Sequence, residues 1–273
     1  DKSIPLVHYV APSVWAWRPG RAKAVAQFLD HLLVLFPFEP PYFLKEGLTT
    51  HFVGHPVVEL GLDKTRDPSF RERYGIPETA PILTVLPGSR RGEISKLLPV
   101  FERTAVRLRE KFPDLQIVIP TLPHLAQQIR QQFTLPAVIV TTSQEKYAAY
   151  QESKAALAAS GTVSLELAAA GVPMVIAYKL NPLTHYVVQR LVKVQYACLI
   201  NLLLNKEVVP ECLQKECTPE NLASKLAVFL ESDVAAQSIK TEMIKALTLL
   251  QAPEKDVSPS QRAAFQICQI LKA

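Results

Sequence analysis

The sequence predicts an α/β protein in which helices cover parallel sheets. From residue 81 onward, short apolar runs alternate with helical segments that carry their charges on one face. The runs are continuously apolar, which is typical of strands buried on both faces of a parallel sheet. We therefore expect a doubly wound α/β domain whose ligand lies at the carboxyl ends of its strands.

Each element of this domain is predicted from its own stretch of sequence. The strands are "PILTVLP", "LQIVIPT", "AVIVTT", "AALAAS" and "PMVIAY", and the helices between them are expected over 93–111, 124–133, 145–153 and 163–170. Past residue 218 the chain is expected to be wholly helical, with segments near 219–231, 234–250 and 259–271.

The part of the chain before residue 81 predicts only a fragment of a sheet. Its expected strands are "PLVHYV", "HLLVLFPFE" and "THFVGHP", with a helix around 20–28 between the first two. Residues 57–80 are rich in Pro, Asp and Arg, and we interpret them as a linker or a domain boundary.

Composition narrows the class of function. The chain has 273 residues, 48% of them hydrophobic, and a formal net charge of +5, so it is globular and mildly basic. This excess suits a phosphate-bearing ligand or an anionic membrane face and is too small to indicate a nucleic-acid partner. The four cysteines and six histidines fall in no metal-ligand pattern. We expect no metal and no cofactor, and reduced thiols in a cytosolic protein.

One segment is long enough to suggest a membrane span. Residues 155–178 carry a single charge, at Glu166, but Gly161, Gly171 and Pro173 divide them into strand, turn, helix and strand, so we reject that interpretation. The chain starts at Asp1 without Met or a signal peptide, and we expect residues to be missing before it.

The stretch "TVLPGSRRGEI", residues 84–94, indicates an anion site. The strand stops at Pro87, Gly88 permits a tight turn, and Ser89 or Gly92 is expected to leave main-chain N–H groups free at a helix start. Arginine side chains can add bidentate hydrogen bonds to phosphate oxygens. The alternative is an ordinary strand-to-helix turn with solvated arginines. The motifs of P-loop enzymes and of dinucleotide-binding folds are both absent.

A second stretch, "ASGTVSLELAAAGVPMV" at 159–175, repeats the same arrangement. A buried strand runs into Ser160, Gly161 and Thr162, and a helix follows that carries Glu166. Glu166 taken alone could simply favour the helix start, where acids are stabilising. The two turns together are better explained by a diphosphate between them, with a carboxylate that accepts hydrogen bonds from ribose hydroxyls.

Six motifs follow one another along the chain in the order of a known family. They are "YVAPSVWAWRPGR" at 9–21, "FPFE" at 36–39, "FVGHPVVE" at 52–59, "LPGSRRGEI" at 86–94, "ASGTVSLELAAAGVPMVIAYK" at 159–179 and "LINLLLNKEVVPECLQ" at 199–214. Together they resemble the lipid-A-disaccharide synthase family. The resemblance covers essentially the whole chain and the later two-thirds of the family's length. It implies a GT-B type glycosyltransferase: a Rossmann-like C-terminal domain with a parallel sheet, plus the end of a truncated N-terminal Rossmann-like domain.

The resemblance also implies an activity and a set of site residues. The family transfers diacylglucosamine from a UDP donor to diacylglucosamine 1-phosphate (lipid X), which yields lipid A disaccharide 1-phosphate and UDP. Carried onto this chain, it implies that Gly88, Ser89 and Arg90 contact the UDP phosphates and that Ser160, Gly161 and Thr162 form a second phosphate turn. Glu166 would be the ribose-binding acid, and Asn201 and Gln214 would lie on the donor side of the cleft.

Domain boundaries and the catalytic base follow from the same resemblance. Residues 1–56 would close the acceptor-side N-terminal domain, 57–250 would form the nucleotide-sugar-binding domain, and 251–273 would form a helix that packs back towards the N-terminal domain. An inverting hexosyltransfer needs a group that takes the proton of the attacking hydroxyl. In the family this base would precede residue 1, so the catalytic residue is unknown here and the chain alone could be inactive.

Two further segments suggest contacts with an acylated acceptor. In "PSVWAWRPGR", Trp15 and Trp17 would share one face of a strand, and Trp17 and Arg18 could meet the acceptor's sugar and phosphate; packing at a domain junction is the alternative. Residues 182–193 read as a basic amphipathic helix that either packs on the core or touches anionic lipid. We expect a cytoplasmic protein, peripheral at the inner face of the cytoplasmic membrane, and a possible homodimer.

Two alternatives to the transferase stay open. A UDP-sugar epimerase of similar architecture would interconvert sugars without an acceptor. The chain could also be a UDP-binding fragment without turnover.

Overall fold

A computed structural model describes residues 4–16, 20–62, 67–181, 194–254 and 256–272 of the chain. It divides into two compact units, each described by itself below. The first unit comprises residues 1–60, 181–195 and 246–273, and the second comprises residues 61–180 and 196–245.

The second unit is built on a six-stranded sheet. Its strands are β4 (Ile82–Leu86), β5 (Gln116–Pro120), β6 (Val138–Val140), β7 (Ala155–Ala159), β8 (Met174–Tyr178) and β9 (Glu211–Leu213). Every neighbouring pair is parallel, and the spatial order is β6-β5-β4-β7-β8-β9. The predicted Rossmann-like fold with a parallel sheet is therefore confirmed; β9 was not predicted as a strand.

Helices connect these strands. They are α3 (Phe70–Arg73), α4 (Arg91–Lys111), α5 (Pro123–Gln132), α6 (Ser143–Glu152), α7 (Val163–Ala169), α8 (Leu199–Leu204), α9 (Pro219–Glu231) and α10 (Asp233–Thr248), the last of which ends within the first unit's residues. The predicted helices α4 to α7 each lie within two residues of their expected bounds. Residues 155–178 form β7, α7 and β8, as predicted, and no helix among the described residues is long and apolar enough to cross a membrane.

The strand order places the ends of β4 and β7 side by side. All residues of both strands are buried, and Leu86 pairs with Ala158 at the carboxyl end of the pair. The chain leaves β4 towards β5 and β6 on one side and continues from β7 to β8 and β9 on the other. The β4–β7 pair is therefore the topological switch point, where doubly wound sheets open a crevice for ligands.

Residues 57–80 contain a boundary between the two units, after Leu60, as one of the two interpretations expects, whereas a linker is wrong for the second half of this range. Phe70 in α3 is fully buried, and Ile76 and Ala80 join the same apolar cluster beneath the sheet. The Nε of Arg71 lies 2.5 Å from Oε2 of the buried Glu152 on α6. These residues belong to the core of the second unit because their apolar side chains fill the space beside β4 and β5.

The first unit holds a three-stranded parallel sheet in the order β1-β2-β3. The strands are β1 (Val7–Tyr9), β2 (His31–Val34) and β3 (Thr49–Phe52), and the helices are α1 (Arg21–Ala26), α2 (Pro40–Leu44), a 3-10 turn at Pro56–Glu59 and α11 (Pro259–Ile270). All three strands are shorter than predicted, and α2 was not predicted. Residues 14–16 form a turn and not a strand, while Trp17 and Arg18 lie outside the described residues.

Gly54, which follows β3, allows residues 250–252 to pack closely against its backbone. Its φ is +88°, and a Cβ there would lie 2.9 Å from the N of Ala252 and the O of Leu250. At the start of α11 the N–H and hydroxyl of Ser260 donate to the Glu59 carboxylate at 2.7 and 2.6 Å. No residue other than glycine fits position 54 without displacing backbone atoms.

Glu39 is a buried carboxylate that organises the loop after β2. Its Oε2 accepts the N–H groups of Leu35 and Phe36 at 3.1 and 3.0 Å, and its Oε1 accepts Nε1–H of Trp15 at 3.2 Å. The Trp15 ring also meets Phe38 edge-on, with centroids 5.4 Å apart. Trp15 is therefore packed within the first unit, and these contacts do not test the predicted packing at a domain junction.

We predict that Glu39 makes the stability of the chain depend on pH. Burial, the largest cause, raises the pKa of Glu39 to about 7, against 4.5 for an ordinary glutamate, although its hydrogen bonds oppose this shift. The folded state then binds more protons between these values, so the contribution is full below pH 4.5 and is lost as the pH rises through about 7. Glu39→Gln should flatten this dependence, which is worth about 3 kcal/mol at most.

Urea denaturation at mildly acidic and mildly alkaline pH measures the effect. Glu78→Gln, at an exposed position, serves as the control and should keep the wild-type slope. An unchanged pH slope in Glu39→Gln would contradict the prediction.

Candidate functional site

A cavity of about 470 Å³ opens at the switch point, entirely within the second unit. Its wall is formed by the turns that follow β4, β5, β6 and β7 and by side chains from the helices after them. The lining residues are Leu86, Gly88, Ser89, Arg90, Glu93, Pro120, Thr121, Leu122, Thr141, Thr142, Ser143, Lys146, Tyr150, Ala159, Ser160, Gly161, Thr162, Val163 and Glu166. The structure thus brings together all seven residues that the sequence singled out in the two turns and at Glu166.

The turn after β4 depends on Gly88. Its φ is +118°, in the region that favours glycine, and a Cβ at this position would lie 2.6 Å from Oε2 of Glu93. Glu93 stands in the first turn of α4 and folds back over the turn. A side chain at position 88 would push this carboxylate away.

The Glu93 carboxylate occupies donors that the sequence assigned to a ligand. Its Oε2 accepts the Ser89 N–H at 3.2 Å, and its Oε1 accepts a guanidinium N–H of Arg90 at 2.8 Å. The expectation that the Ser89 N–H is free at the helix start is therefore wrong for this structure, because an acid three residues into a helix can reach back to the turn. Arg90 itself is largely exposed at the rim, with 79% of its side chain accessible.

The turn after β7 presents its backbone to the cavity. The Ser160 hydroxyl donates to the Ala197 carbonyl at 2.7 Å and its N–H to the Ala177 carbonyl at 3.2 Å, so both donors are used internally. Within the described ranges, the N–H groups of Gly161 and Thr162 have no protein acceptor. These two N–H groups, next to the first turn of α7, are the donors that this turn offers to an anion.

Glu166 lies on the same cavity wall and is held from the neighbouring helix. The Nζ of Lys146 lies 3.1 and 2.9 Å from its two carboxylate oxygens, and the Tyr150 hydroxyl donates to Oε2 at 3.3 Å. About a quarter of the side chain of both Lys146 and Glu166 is exposed. Both cations at the cavity, Arg90 and Lys146, are thus paired with carboxylates of the protein.

The structure does not place Asn201 at the cavity. Its side chain is fully buried: Oδ1 accepts the N–H groups of Val208 and Val209, and Nδ2 donates to the Val209 carbonyl and to Glu211, all at 2.8 Å. An amide side chain with these four bonds has no capacity left for a ligand. Asn201 therefore does not line the sugar-donor side of the cavity as the resemblance implies. Its hydrogen bonds hold the loop before β9.

Gln214 is also absent from the cavity wall. It follows β9 with a φ of +51°, and its Oε1 accepts the Leu180 N–H at 3.2 Å. A non-glycine residue in this region is uncommon and signals local constraint. Here the constraint fixes the segment after β8 to the segment after β9.

Several lining residues escaped the sequence analysis. Glu93 was quoted within the first motif without a role, and Lys146, Tyr150 and the turns after β5 and β6 were not singled out. A usable signal existed for Lys146 and Tyr150: they are four residues apart on a predicted helix that follows a predicted strand, so they share one helix face. Their proximity to Glu166 depends on the strand order, which no local pattern contains.

The parallel sheet of the second unit, with a cavity at its switch point, is a Rossmann-like domain of the GT-B fold. Among solved structures, the chain is similar to Staphylococcus aureus MnaA in a co-structure with UDP, with a TM-score of 0.62 and 14% identity over 99% of this chain and 70% of that one. It is also similar to the UDP-GlcNAc 2-epimerase of Neisseria meningitidis bound to UDP-GlcNAc, with a TM-score of 0.61 and 12% identity over 100% and 71%. At such low identity these likenesses show the fold alone.

The sequence comparisons identify the family. A family model described as lipid-A-disaccharide synthetase matches residues 1–268. The lipid-A-disaccharide synthases of Rhodospirillum centenum and Ruegeria pomeroyi are 49% and 45% identical, over 98% and 96% of this chain and 67% of each relative. The chain belongs to the lipid-A-disaccharide synthase family, and it spans about two thirds of the length of these relatives. The predicted class of function, a glycosyltransferase of lipid A biosynthesis, is confirmed, and the epimerase alternative is disfavoured.

We predict that Asn201→Ala destabilises the second unit and leaves the lining of the cavity unchanged. The substitution leaves the N–H groups of Val208 and Val209 and the Val209 carbonyl without these partners, which should cost about 2–4 kcal/mol of unfolding free energy. Asn221→Ala, which removes two more exposed side-chain hydrogen bonds to Glu216, is the matched control and should cost less than about 1 kcal/mol. Chemical denaturation compares the two, and equal losses would contradict a structural role for Asn201.

Proposed function

We propose that the cavity of the second unit binds the UDP portion of a nucleotide-sugar donor. The observation that carries the proposal is that two strand-to-helix turns and an acid, recognised separately in the sequence, line one cavity at the switch point. In the proposed reaction the protein joins UDP-diacylglucosamine to diacylglucosamine 1-phosphate and releases lipid A disaccharide 1-phosphate and UDP.

In the proposed complex, backbone N–H groups and one guanidinium bind the diphosphate. The N–H groups of Gly161 and Thr162 and the turn at Gly88 and Ser89 would surround it, and Arg90 would add a charged hydrogen bond. Charge develops on UDP as the glycosidic bond breaks, and donors already in place stabilise that charge without reorganisation. Glu166 would accept hydrogen bonds from the ribose hydroxyls.

We further propose that the acceptor meets the protein from the membrane. Both substrates carry acyl chains, and the net charge of +5 favours an anionic lipid surface. Trp17 and Arg18, and the basic segment 182–193, are the proposed contacts, and all of them lie outside the described residues. A homodimer remains part of the proposal, and no described residue is assigned as the catalytic base.

The direct test is calorimetric titration of the chain with UDP, combined with a turnover assay that supplies both lipid substrates. UDP binding with turnover supports the transferase. UDP binding without turnover, while the full-length protein is active, supports the alternative of a binding portion that needs the rest of the enzyme. Absence of UDP binding would contradict the proposed function.

We predict that Arg90→Ala weakens UDP binding about tenfold, because a charged hydrogen bond to a phosphate is lost at an exposed rim. Arg107→Ala is the matched control, since Arg107 lies on α4, the helix that follows Arg90, and also pairs with a carboxylate, that of Glu220. It should leave UDP affinity unchanged. Calorimetry with UDP measures both, and equal affinities of wild type and Arg90→Ala would count against the assignment.

We predict the opposite effect for Glu93→Gln. The carboxylate competes with a phosphate for the Ser89 N–H and for Arg90, and a neutral amide competes less. UDP should bind about threefold to tenfold more tightly to the variant. Glu220→Gln is the control and should have no effect. Weaker UDP binding in Glu93→Gln would instead make Glu93 a residue that holds Arg90 in place for the ligand.

A further inference from the structure

We propose that Lys146 and Tyr150 are positioning residues that hold the Glu166 carboxylate in place to read a ribose hydroxyl, and so make the site specific for ribonucleotides. The inference rests on the proposed function, since it assumes that UDP occupies the cavity. It adds two residues of α6 to the turns after β4 and β7 and to Glu166 of α7, which the sequence motifs had already singled out.

The helix that carries Glu166 does not hold its carboxylate. Among the described residues, the hydrogen bonds to this carboxylate come from α6 and none comes from α7. A glutamate side chain with three rotatable bonds would sample several rotamers at a partly exposed cavity wall, and a ligand would have to immobilise it. Holding the carboxylate before the ligand arrives lowers that cost.

The helix α6 supplies this restraint through two side chains on one face. Lys146 and Tyr150 are one helical turn apart, and both line the cavity. The Lys146 ammonium bridges the two carboxylate oxygens at 3.1 and 2.9 Å and also lies 4.5 Å from the centroid of the Tyr147 ring. The ammonium itself is therefore held from a second direction.

Tyr150 acts only as a donor. Its side chain is fully buried, and its hydroxyl lies 3.3 Å from Oε2 of Glu166. Burial, followed by the negative charge of Glu166, raises the pKa of Tyr150 well above its ordinary value, so the phenol keeps its proton for the carboxylate. Because a buried aromatic ring has little freedom, this hydrogen bond fixes the position of Oε2.

The acceptor capacity of Glu166 leaves room for the ligand. A carboxylate offers about four acceptor positions, and contacts from α6 use up to three of them. The remaining position is on Oε1, and Glu166 lines the cavity. A hydroxyl that donates to Oε1 would complete the set, whereas a deoxyribonucleotide would leave a desolvated acceptor without a partner.

The experiment measures ribose discrimination separately from phosphate binding. The 273-residue chain is titrated with UDP, with 2′-deoxy-UDP and 3′-deoxy-UDP, and with inorganic pyrophosphate. In the wild type we expect UDP to bind about tenfold more tightly than at least one of the deoxy analogues. Lys146→Met should remove this preference by weakening UDP, while pyrophosphate affinity stays within about twofold. Tyr150→Phe should reduce the preference about threefold, and Lys146→Arg should restore part of it.

Controls separate positioning from a general structural role. Lys154→Met removes a lysine of the same unit that pairs with Asp233, and it should leave all four affinities unchanged. In a Glu166→Gln background, Lys146→Met should have no further effect on ribose discrimination. Should Lys146→Met fail to fold, Tyr150→Phe with Glu166→Gln completes the same cycle.

Four results would overturn the inference. Ribose discrimination that persists in Lys146→Met contradicts it, and so does an equal loss of UDP and pyrophosphate, which would make Lys146 a phosphate ligand. A wild-type chain that binds UDP without any ribose preference contradicts it while leaving the proposed function intact. A wild-type chain that does not bind UDP contradicts the proposed function and the inference together.

Discussion

The parallel pairing of β4 with β7 is the constraint on which the candidate site depends. Both strands are buried along their full length, so neither can move to an edge of the sheet without exposing apolar side chains. Their carboxyl ends are therefore fixed side by side, with Leu86 opposite Ala158. Because the chain diverges on either side of this pair, the two following turns, which contain Gly88 and Gly161, face one crevice.

Charge within the cavity is balanced before any ligand binds. Arg90 is paired with Glu93, and Lys146 is paired with Glu166. The two pairs differ in what surrounds them: Arg90 is mostly exposed, so its pair is weak and can exchange partners, whereas Glu166 is also held by the buried Tyr150. In the proposed complex, the diphosphate would replace Glu93 at Arg90, and Glu166 would bind the ribose.

Buried polar groups keep the surrounding loops in place. Asn201 and Glu211 satisfy the backbone of the segment before β9, and the Ser160 hydroxyl joins the turn after β7 to Ala197. In the first unit Glu39 has the same role for the loop after β2. Each of these groups resembled a ligand contact or a motif position in the sequence, and in the structure each satisfies backbone that would otherwise be buried without partners.

The sequence alone determined the parallel α/β fold, the family and the two turns, because apolar runs, glycines and small residues at strand ends are local signals. Only the tertiary structure decided which turns share a cavity and which polar residues face it. Strand order and side-chain partners decide that Lys146 and Tyr150 contact Glu166. They also decide that Glu93 accepts the Ser89 N–H and that Asn201 is buried. Strand order and side-chain partners cannot be predicted from the spacing of residues, because contacts between distant segments are set by packing across the sheet.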